Sequence, residues 1–399
     1  MNAVNPEISY DVTDPVDTDY LDVFSDATDD DRAAWNAARQ YGREILPLIN
    51  GYWDRSEYPL DLVRRIGELD LMTDGLDVPG HRKMSPLGAG LVTMELSRWD
   101  GSMATAVAVQ GGLALRSIAL FGSEDQKKKY LDALADASLL GSFALTEPDH
   151  GSDSVSLETK AVKDGGEYVL TGEKKWIGNG ASGGITVVWA RDEENNVRGF
   201  IVDQDSDGYE AEVIEGKGTL RAIHQARISL NGVRVPESNV LPGVRTFKDV
   251  SVVLVQTRVG VAWSALGHAI SGYEAALRYS QQRIQFGKPL AKFQMIQERL
   301  VEMLSEITDM QLMSARIAKL QEAGTLRDQQ ASLFKVHNTT KARKVLATAR
   351  DMLGGNGVLL ENHVIRHMFD IEGVHTYEGT ENIQRLIVGR DITGQSAFA

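Results

Sequence analysis

The clearest candidate for a chemical role is a glutamate in the tetrapeptide Tyr377-Glu378-Gly379-Thr380, which precedes an amphipathic run at 381–390. A carboxylate shielded from water can act as a base toward a weakly acidic proton. The neighbouring aromatic ring can help to exclude water, and the glycine allows another molecule to approach the backbone closely. Because most glutamates are solvated surface charges, the rest of the sequence has to support a role for Glu378 as a base.

The periodicity of apolar residues divides the chain into an acidic N-terminal arm, residues 1–30, and three larger blocks. Residues 31–140 place apolar side chains at three- and four-residue spacing, which predicts an α-helical domain. Residues 141–244 contain short β-branched and aromatic runs separated by Gly, Asp and Asn, which predicts a small antiparallel β domain. Residues 245–399 contain long helical runs that indicate a four-helix bundle. The order α, β, α predicts an α+β multi-domain protein and argues against a doubly wound sheet.

Composition excludes several function classes. The 399 residues have a net charge of −14, so no basic excess supports general nucleic-acid binding. Much of the acidity lies in the arm, which we expect to be loosely ordered. The absence of cysteine excludes disulfides and thiolate catalysis. The acidic N-terminus resembles no targeting peptide, and no apolar run approaches the roughly 20 residues of a membrane helix. We therefore expect a cytoplasmic protein without membrane insertion.

Two apparent ligand motifs fail on context. The segment from Gly178 to Gly183 satisfies the G-x-G-x-x-G pattern of dinucleotide-binding folds. That pattern requires a following helix to hold the pyrophosphate, whereas the next residues have the composition of a strand. His363 and His367 have the i,i+4 spacing of metal ligands, but Val364 occupies the position of the glutamate in H-E-x-x-H. We expect no metal site.

Segments 143–153, 174–177, 283–290 and 351–357 combine hydroxyls, glycines and an aromatic residue at the ends of predicted elements. Each has an ordinary structural interpretation, as a self-capped turn, core packing, a helix corner or a glycine helix end. Each could instead bind a phosphate or line a flat heterocycle. Spacing alone leaves both interpretations open.

Taken together and in this order, these segments and Tyr377-Glu378-Gly379-Thr380 resemble the acyl-CoA dehydrogenase family, especially its glutaryl-CoA and short-chain branch. The resemblance covers nearly the whole chain after the arm. It implies a helical domain, a β barrel and a four-helix bundle that bind FAD and form a homotetramer. The implied reaction oxidises an acyl-CoA to the 2-enoyl-CoA. Glu378 would take the α-proton, the flavin would accept the β-hydride, and an electron-transfer flavoprotein would accept the electrons.

The resemblance also assigns site residues. Those expected to bind FAD, some of them across a subunit interface, are Phe143, Leu145, Thr146, Gly151, Ser152, Trp176, Ile177, Arg283, Phe286, Gln294, Asp351, Met352, Leu353, Gly354, Gly355, Thr380 and Phe398. Those expected near the acyl-CoA are Glu95, Ala104, Thr105, Ala108, Ser152, Leu254, Arg258, Tyr377 and Gly379.

Two departures from the family pattern bear on function. Gly178 stands where the family often has a threonine at the reactive edge of the flavin, which is expected to alter redox tuning or oxygen reactivity. Ala104 and Ala108 stand where glutaryl-CoA dehydrogenases carry an Arg and a Ser that hold the distal carboxylate. An unpaired buried carboxylate costs several kcal/mol, and Arg98 could compensate only in a different register. A short, uncharged acyl chain is therefore favoured. Glutaryl-CoA oxidation, an oxygen-using acyl-CoA oxidase and a non-catalytic flavoprotein are the alternatives.

Overall fold

The computed structural model describes residues 18–398, and its first part is a bundle of six helices. They are α1 (Asp29–Arg55), α2 (Leu60–Glu68), α3 (Pro86–Trp99), α4 (Gly101–Val107), α5 (Arg116–Phe121) and α6 (Glu124–Ala135). Capping boxes start α1 at Thr28 and α6 at Ser123. A π-helical segment, Ala108–Leu115, joins α4 to α5 without a break. Such segments often mark functional sites because they displace the side chains of one turn.

The middle part is a seven-stranded sheet with the order β1-β4-β2-β3-β7-β6, and β5 pairs with β4 on the other side. The strands are β1 (Gly141–Ala144), β2 (Lys160–Asp164), β3 (Glu167–Gly178), β4 (Ile185–Arg191), β5 (Val197–Asp203), β6 (Tyr209–Val213) and β7 (Gln225–Pro236). The expected antiparallel sheet is wrong in one respect, since β1 and β2 both pair with β4 in parallel. β1 also includes the first two residues of the segment 143–153, for which the sequence indicated a turn.

The last part is helical again, as its long apolar periodicity predicts. α7 (Phe247–Gln282), α8 (Gln294–Glu322) and α9 (Asp328–Met352) are the long helices, and α10 (Val364–Thr376) and α11 (Glu381–Thr393) are shorter. A two-stranded hairpin of β8 (Ile284–Gln285) and β9 (Lys288–Pro289) lies between α7 and α8. One large core cluster joins α7, α8, α9 and α10 to α3.

The segment that precedes α1 is packed against the protein where it is described. Phe24 is 2% exposed and lies between the rings of Trp35 and Trp263, with centroid separations of 6.3 and 5.8 Å. The Asp19 carboxylate accepts hydrogen bonds from the amides of Val23 and Phe24. The expectation of a loosely ordered arm is therefore wrong for residues 18–30, because an aromatic side chain anchors them. Residues 1–17 of that arm lie outside the described residues.

In the described part of the chain, residues 18–398, two helical stretches are long and apolar enough to cross a membrane, which the sequence expectation missed. They are Gly101–Phe121 and Phe247–Gln282, and 67% of the most apolar window of each is buried within the protein. Burial on this scale is what the core helices of a globular fold show. α7, the longer of the two, occupies the centre of the C-terminal core cluster.

The helical parts are joined by a buried ion pair. Arg366 on α10 contacts the Asp100 carboxylate, and both side chains are fully buried. Arg366 also donates to the carbonyl of Trp99 at 2.9 Å and to the Asn50 side chain at 2.9 Å. Asp100 caps α4 by accepting from the amide of Met103. One guanidinium therefore ties α10 to the N-terminal helices at the point where the chain turns into α4.

Candidate active site

Glu378 lies in the short turn between α10 and α11, at the junction of the helical parts. Its backbone is left-handed, with φ of 55°, and Gly379 follows with φ of 80°. Thr380 is the N-cap of α11, and its hydroxyl accepts a hydrogen bond from the amide of Ile383. Two consecutive left-handed residues make a sharp bend that a non-glycine residue adopts only when its surroundings hold it there.

Two side chains hold that bend. Lys335 on α9 is fully buried, and its ammonium donates to the carbonyl oxygens of Tyr377 and Gly379. Gln384 on α11 donates through Nε2 to the carbonyl of Glu378 at 2.9 Å. The backbone on both sides of the carboxylate is thus fixed by groups from two helices.

The Glu378 carboxylate is partly buried and has one neutral donor. Thr257 Oγ1 on α7 donates to Glu378 Oε2 at 2.8 Å. Burial raises the pKa of Glu378 above its ordinary value. The Thr257 hydrogen bond and the positive charges of Lys335 and Arg258 oppose that rise. A carboxylate with a raised pKa is a stronger proton acceptor than an ordinary surface glutamate.

Some of the residues expected around the acyl group meet where the turn that carries Glu378 approaches α4. The Tyr377 hydroxyl lies within hydrogen-bonding reach of Thr105 and Ser264. Thr105 and Ala104 are on α4 and are 7% and 4% exposed. Ala108, one turn further on, is the first residue of the π-helical segment. None of the four side chains of Tyr377, Thr105, Ala104 and Ala108 carries a positive charge.

Arg258 and Leu254 are on the same helix as Thr257. Arg258 forms an ion pair with Asp328 at the start of α9, and its charge acts on both Glu378 and Lys335. Leu254 packs against the core cluster beneath the sheet. The Arg258 charge thus favours the ionised form of Glu378, while the Arg258 guanidinium itself is paired with Asp328.

Glu95 and Arg98 are structural. The Glu95 carboxylate is 1% exposed and accepts hydrogen bonds from the indole nitrogens of Trp35 and Trp99. It also pairs with Arg98, whose guanidinium binds Glu274 at 2.6 and 2.7 Å. The Glu95 oxygens are thus bound to protein donors, and the expected position of Glu95 near the acyl-CoA stays a prediction. Arg98 is likewise committed to two buried carboxylates.

The first group of residues expected to bind the cofactor lies at the sheet. Phe143 and Leu145 are 8% and 6% exposed, whereas Gly151 and Ser152 are exposed. The Thr146 carbonyl accepts from the amide of Lys175 at 2.9 Å, which fixes the loop against β3. A Cβ added at Gly151 would meet nothing within 4 Å. The loop therefore presents an open backbone surface next to a buried aromatic floor.

Trp176 and Ile177 continue this surface along β3. A break in the register between Lys174 and Ile177 puts Trp176 in a left-handed conformation, with φ of 66°. Its indole is 54% exposed, while Ile177 is 2% exposed. An exposed indole on a strand that is otherwise packed fits a flat ligand stacked or wedged against it.

The second group lies on exposed helix ends away from the sheet. Arg283 is the C-cap of α7, and Phe286 in the following hairpin is 93% exposed. Gln294 begins α8, and its side chain is exposed. Phe398 is 42% exposed near the C-terminus. A large exposed aromatic ring beside a cation suits a site completed by a second chain.

The end of α9 belongs to this group. Met352 and Leu353 are buried, whereas Asp351 and the two glycines after Leu353 are exposed. An added Cβ at Gly354 or Gly355 would meet nothing within 4 Å. The open backbone at Gly151 and at Gly354 and Gly355, together with the exposed Trp176 indole, is compatible with binding of a large dinucleotide that carries a flat ring.

Gly178 has a packing reason for being a glycine. A Cβ at this position would lie 2.7 Å from Cγ2 of Val109, in the π-helical segment. The valine side chain thus occupies the space that a threonine would need. The departure from the family pattern is therefore coupled to a second residue that the sequence did not single out.

His367, the second of the two histidines with i,i+4 spacing, lies beside a third histidine on α7. His367 Nδ1 lies 2.9 Å from His268 Nδ1, and burial lowers the pKa of His268 and of His363 to about 3. The neighbouring Arg366 charge contributes to both of these lowered pKa values. Within residues 18–398, no group of three or more His, Asp or Glu side chains could hold a metal ion.

Comparison with known protein families assigns the class of the protein. Three acyl-CoA dehydrogenase domain profiles match in succession, the N-terminal domain at 28–138, the middle domain at 142–233 and the C-terminal domain at 247–393. The chain belongs to the acyl-CoA dehydrogenase family. It is an FAD-dependent flavoprotein oxidoreductase that acts on the CH–CH bond of an acyl-CoA.

Similar proteins include enzymes whose names indicate different substrates. The mitochondrial short-chain specific acyl-CoA dehydrogenase of Rattus norvegicus is 31% identical, over 87% of this chain and 85% of the relative. A glutaryl-CoA dehydrogenase structure from Mycobacterium smegmatis is 37% identical, with a TM-score of 0.92, over 96% of this chain and 99% of that one. A Mycobacterium smegmatis glutaryl-CoA dehydrogenase in complex with FADH2 is 34% identical, with a TM-score of 0.93, over 95% and 98%.

The sequence did not single out three residues that contact the Glu378 turn. They are Thr257, Lys335 and Gln384. Each lies inside a helical run, where its side chain is indistinguishable from a surface or core residue by periodicity alone. The one available signal was a lysine at an otherwise apolar position of α9, between Phe334 and Val336.

Proposed function

We propose that this protein dehydrogenates a short, uncharged acyl-CoA to the 2-enoyl-CoA, with Glu378 removing the α-proton. The observation that carries the proposal is the Glu378 carboxylate itself. It has a raised pKa, a single hydroxyl donor at 2.8 Å, and a backbone fixed by two helices. This is the arrangement needed by a base that must meet one carbon-bound proton and avoid water.

FAD would be held by Trp176, the 146–152 loop and, from a second chain, the ends of α7 and α9. When bound there, it would supply the acceptor for the hydride from the β-carbon. The protein's own task is to position and charge the base. Thr257 orients the carboxylate by its hydrogen bond. The partly buried Tyr377 ring and the buried Ala104 side chain would help to keep water from the α-carbon. Loss of water strengthens every electrostatic interaction at the site.

The proposal of a substrate with a short acyl chain and no distal charge is supported by two side chains, those of Ala104 and Ala108. Ala104 and Ala108 offer methyl groups where a carboxylate would need a cation. Arg98, the cation that could have compensated, is bound to Glu95 and Glu274. An unpaired carboxylate against this surface would cost several kcal/mol.

Oxidation and decarboxylation of glutaryl-CoA is a second candidate. It is supported by the likeness of the whole chain to the Mycobacterium smegmatis glutaryl-CoA dehydrogenases. The two candidates differ in what the pocket must do with a second negative charge, so substrate trials separate them.

The test is anaerobic bleaching of the flavin in the purified protein by butyryl-CoA, hexanoyl-CoA, lauroyl-CoA and glutaryl-CoA. We expect rapid bleaching with butyryl-CoA, slower bleaching with lauroyl-CoA, and no bleaching or carbon dioxide release with glutaryl-CoA. Fast bleaching by glutaryl-CoA with release of carbon dioxide would overturn the substrate proposal. A protein that takes up no FAD, or whose flavin no acyl-CoA bleaches, would overturn the proposed function itself.

We further propose a cytoplasmic homotetramer that passes electrons to an electron-transfer flavoprotein. The exposed Phe286 ring and the apolar Met295 nearby, 69% exposed, support a second chain at this corner. Because Gly178 stands where the family often has a threonine, molecular oxygen is the alternative acceptor of the electrons. Light scattering against the chain mass of 43.7 kDa measures the assembly. Peroxide release under air, without added acceptor, distinguishes the two acceptors.

A further inference from the structure

Lys335 is a buried cation that the proposed reaction does not yet use. It lies in the middle of α9, is fully buried, and its side chain reaches the turn that carries the base. Its ammonium donates to the carbonyl oxygens of Tyr377 and Gly379, the residues before and after Glu378. Both of these hydrogen bonds go to the backbone, and the Lys335 charge acts on the Glu378 carboxylate through space.

Burying the Lys335 ammonium costs free energy, so a functional reason for its position is worth seeking. A lysine in an apolar surrounding loses its hydration, and burial lowers the pKa of Lys335 while the nearby Glu378 charge opposes that change. Two carbonyl acceptors return only part of the lost hydration. A methionine of similar length would fill the same space at lower cost, as replacements of buried charges in other proteins show.

The geometry of the turn indicates what the buried lysine contributes. Glu378 has φ of 55°, a conformation that costs a non-glycine residue free energy and persists only under external restraint. The two carbonyls that Lys335 binds flank this residue, so a single ammonium closes the bend around it. The positive charge also lies close enough to stabilise the carboxylate form of Glu378.

We propose that Lys335 is the positioning residue of the base: its ammonium clamps the backbone on both sides of Glu378 and keeps the carboxylate aimed at the substrate and ionised. This inference rests on the proposed function, because it assigns the turn a base to position. Because the hydrogen bonds of Lys335 go to backbone carbonyls, it acts on the reaction through the position of Glu378.

Other charged groups face the same region and must be held constant in a test. They are Arg258 from α7 with its partner Asp328 at the start of α9, His375 from α10, Glu381 from α11, which pairs with His375 at 2.9 Å, and Tyr377 in the turn itself. None of them donates to the two carbonyls that Lys335 binds.

The test compares Lys335→Met with Gln384→Met. Gln384 also donates to the backbone of this turn, at 2.9 and 3.3 Å, but carries no charge. Both variants loosen the bend, and only Lys335→Met removes the positive charge. For each variant we would measure FAD content, the Kd for a substrate analogue, and the rate of flavin bleaching per bound flavin from pH 5 to 9.

For Lys335→Met we expect full FAD content, an analogue Kd within about twofold of the wild type, and bleaching slowed about tenfold or more because the base is misplaced. Its acid limb should move to higher pH, by about one unit, because the charge that favours the carboxylate is gone. For Gln384→Met we expect a slower rate with an unmoved acid limb. Unchanged rate and limb in Lys335→Met would overturn the proposal.

A second measurement applies if Lys335→Met folds poorly. Lys335→Gln keeps a donor and removes the charge, so it should retain faster bleaching than the methionine variant while its acid limb moves by the same amount. Hydrogen–deuterium exchange of peptides across 373–389 should rise in Lys335→Met and less in Lys335→Gln. Equal exchange in both variants and the wild type would contradict the clamp. If the wild type itself is not bleached by any acyl-CoA, the proposed function fails first.

Discussion

At the scale of single residues, the chemistry of the site depends on how far the Glu378 carboxyl departs from an ordinary glutamate. Burial acts on its pKa in one direction, and its hydrogen-bond donor and neighbouring positive charges act in the other. The structure gives the direction, because burial raises the pKa more than its partners lower it. Those partners, Thr257 and Lys335, could not be found from the sequence, since they come from helices more than forty residues away.

Thr257→Val tests the hydroxyl. The hydrogen bond at 2.8 Å favours the charged carboxylate, so its loss should raise the pKa of Glu378 further. The base works only when ionised, so bleaching should be lost at a higher pH as the solution is acidified. We expect the acid limb to move up by about one pH unit, since a hydrogen bond to a charged group contributes about 1.5–3 kcal/mol.

Thr93→Val is the matched control, because the Thr93 hydroxyl donates only to the Ala89 carbonyl within its own helix, at 3.0 Å. Stopped-flow bleaching with butyryl-CoA from pH 5 to 9 measures both variants. An acid limb that moves down, or not at all, in Thr257→Val would contradict the role given to this hydroxyl.

At the scale of elements, the turn between α10 and α11 decides where the carboxylate points. The sequence placed Glu378 just before the amphipathic run that forms α11, because such a run is a local signal. It did not predict the left-handed backbone at Glu378 or the π-helical segment that carries Val109. Both depend on contacts between distant parts of the chain, which local propensity does not encode.

Gly379→Ala tests the turn. Gly379 has φ of 80°, and an added Cβ would collide with the Gln384 amide that braces the turn. We expect a loss of about 1–3 kcal/mol in the free energy of unfolding and slower bleaching, because the base is displaced.

Gly389→Ala provides the comparison, since Gly389 is inside α11 and an added Cβ meets nothing within 4 Å. Alanine should stabilise that helix by about 0.5–1 kcal/mol with little change in bleaching. Chemical denaturation and stopped-flow bleaching together measure both variants. Equal effects of the two substitutions would contradict the assigned strain.

At the scale of the whole molecule, the site exists because helices from both ends of the chain meet at α10. The order helical, β, helical could be predicted from periodicity, which changes visibly at each boundary. The buried junction of Arg366 with Asp100 could not, since charged residues in helical runs read as solvated faces. The packed arm residue Phe24 was missed for the same reason, as acidic neighbours concealed an aromatic anchor.

Arg366→Met tests the junction. Removing one member of a fully buried pair leaves the other charge unpaired, which should lower the free energy of unfolding by about 3–5 kcal/mol. Burial raises the pKa of Asp100, and Arg366 lowers it. Without the arginine, Asp100 should take up a proton more readily, so the destabilisation should shrink as the pH falls.

The exposed Arg234, which pairs with Asp164 and Glu167 on the sheet surface, is the control. Arg234→Met should change the free energy of unfolding by less than about 1 kcal/mol. Urea denaturation at pH 5.5 and 8 measures both. A loss in Arg366→Met as small as that in Arg234→Met would contradict a structural role for the junction.

The central claim, that Glu378 is the base, is tested most directly by anaerobic stopped-flow bleaching in Glu378→Gln beside the wild type, with butyryl-CoA. Glutamine keeps the size of the side chain and cannot take up the proton. We predict that the variant retains FAD and binds butyryl-CoA with a similar Kd, while bleaching slows by about 10²–10⁴-fold. Bleaching at the wild-type rate in a variant with full FAD content would contradict the account.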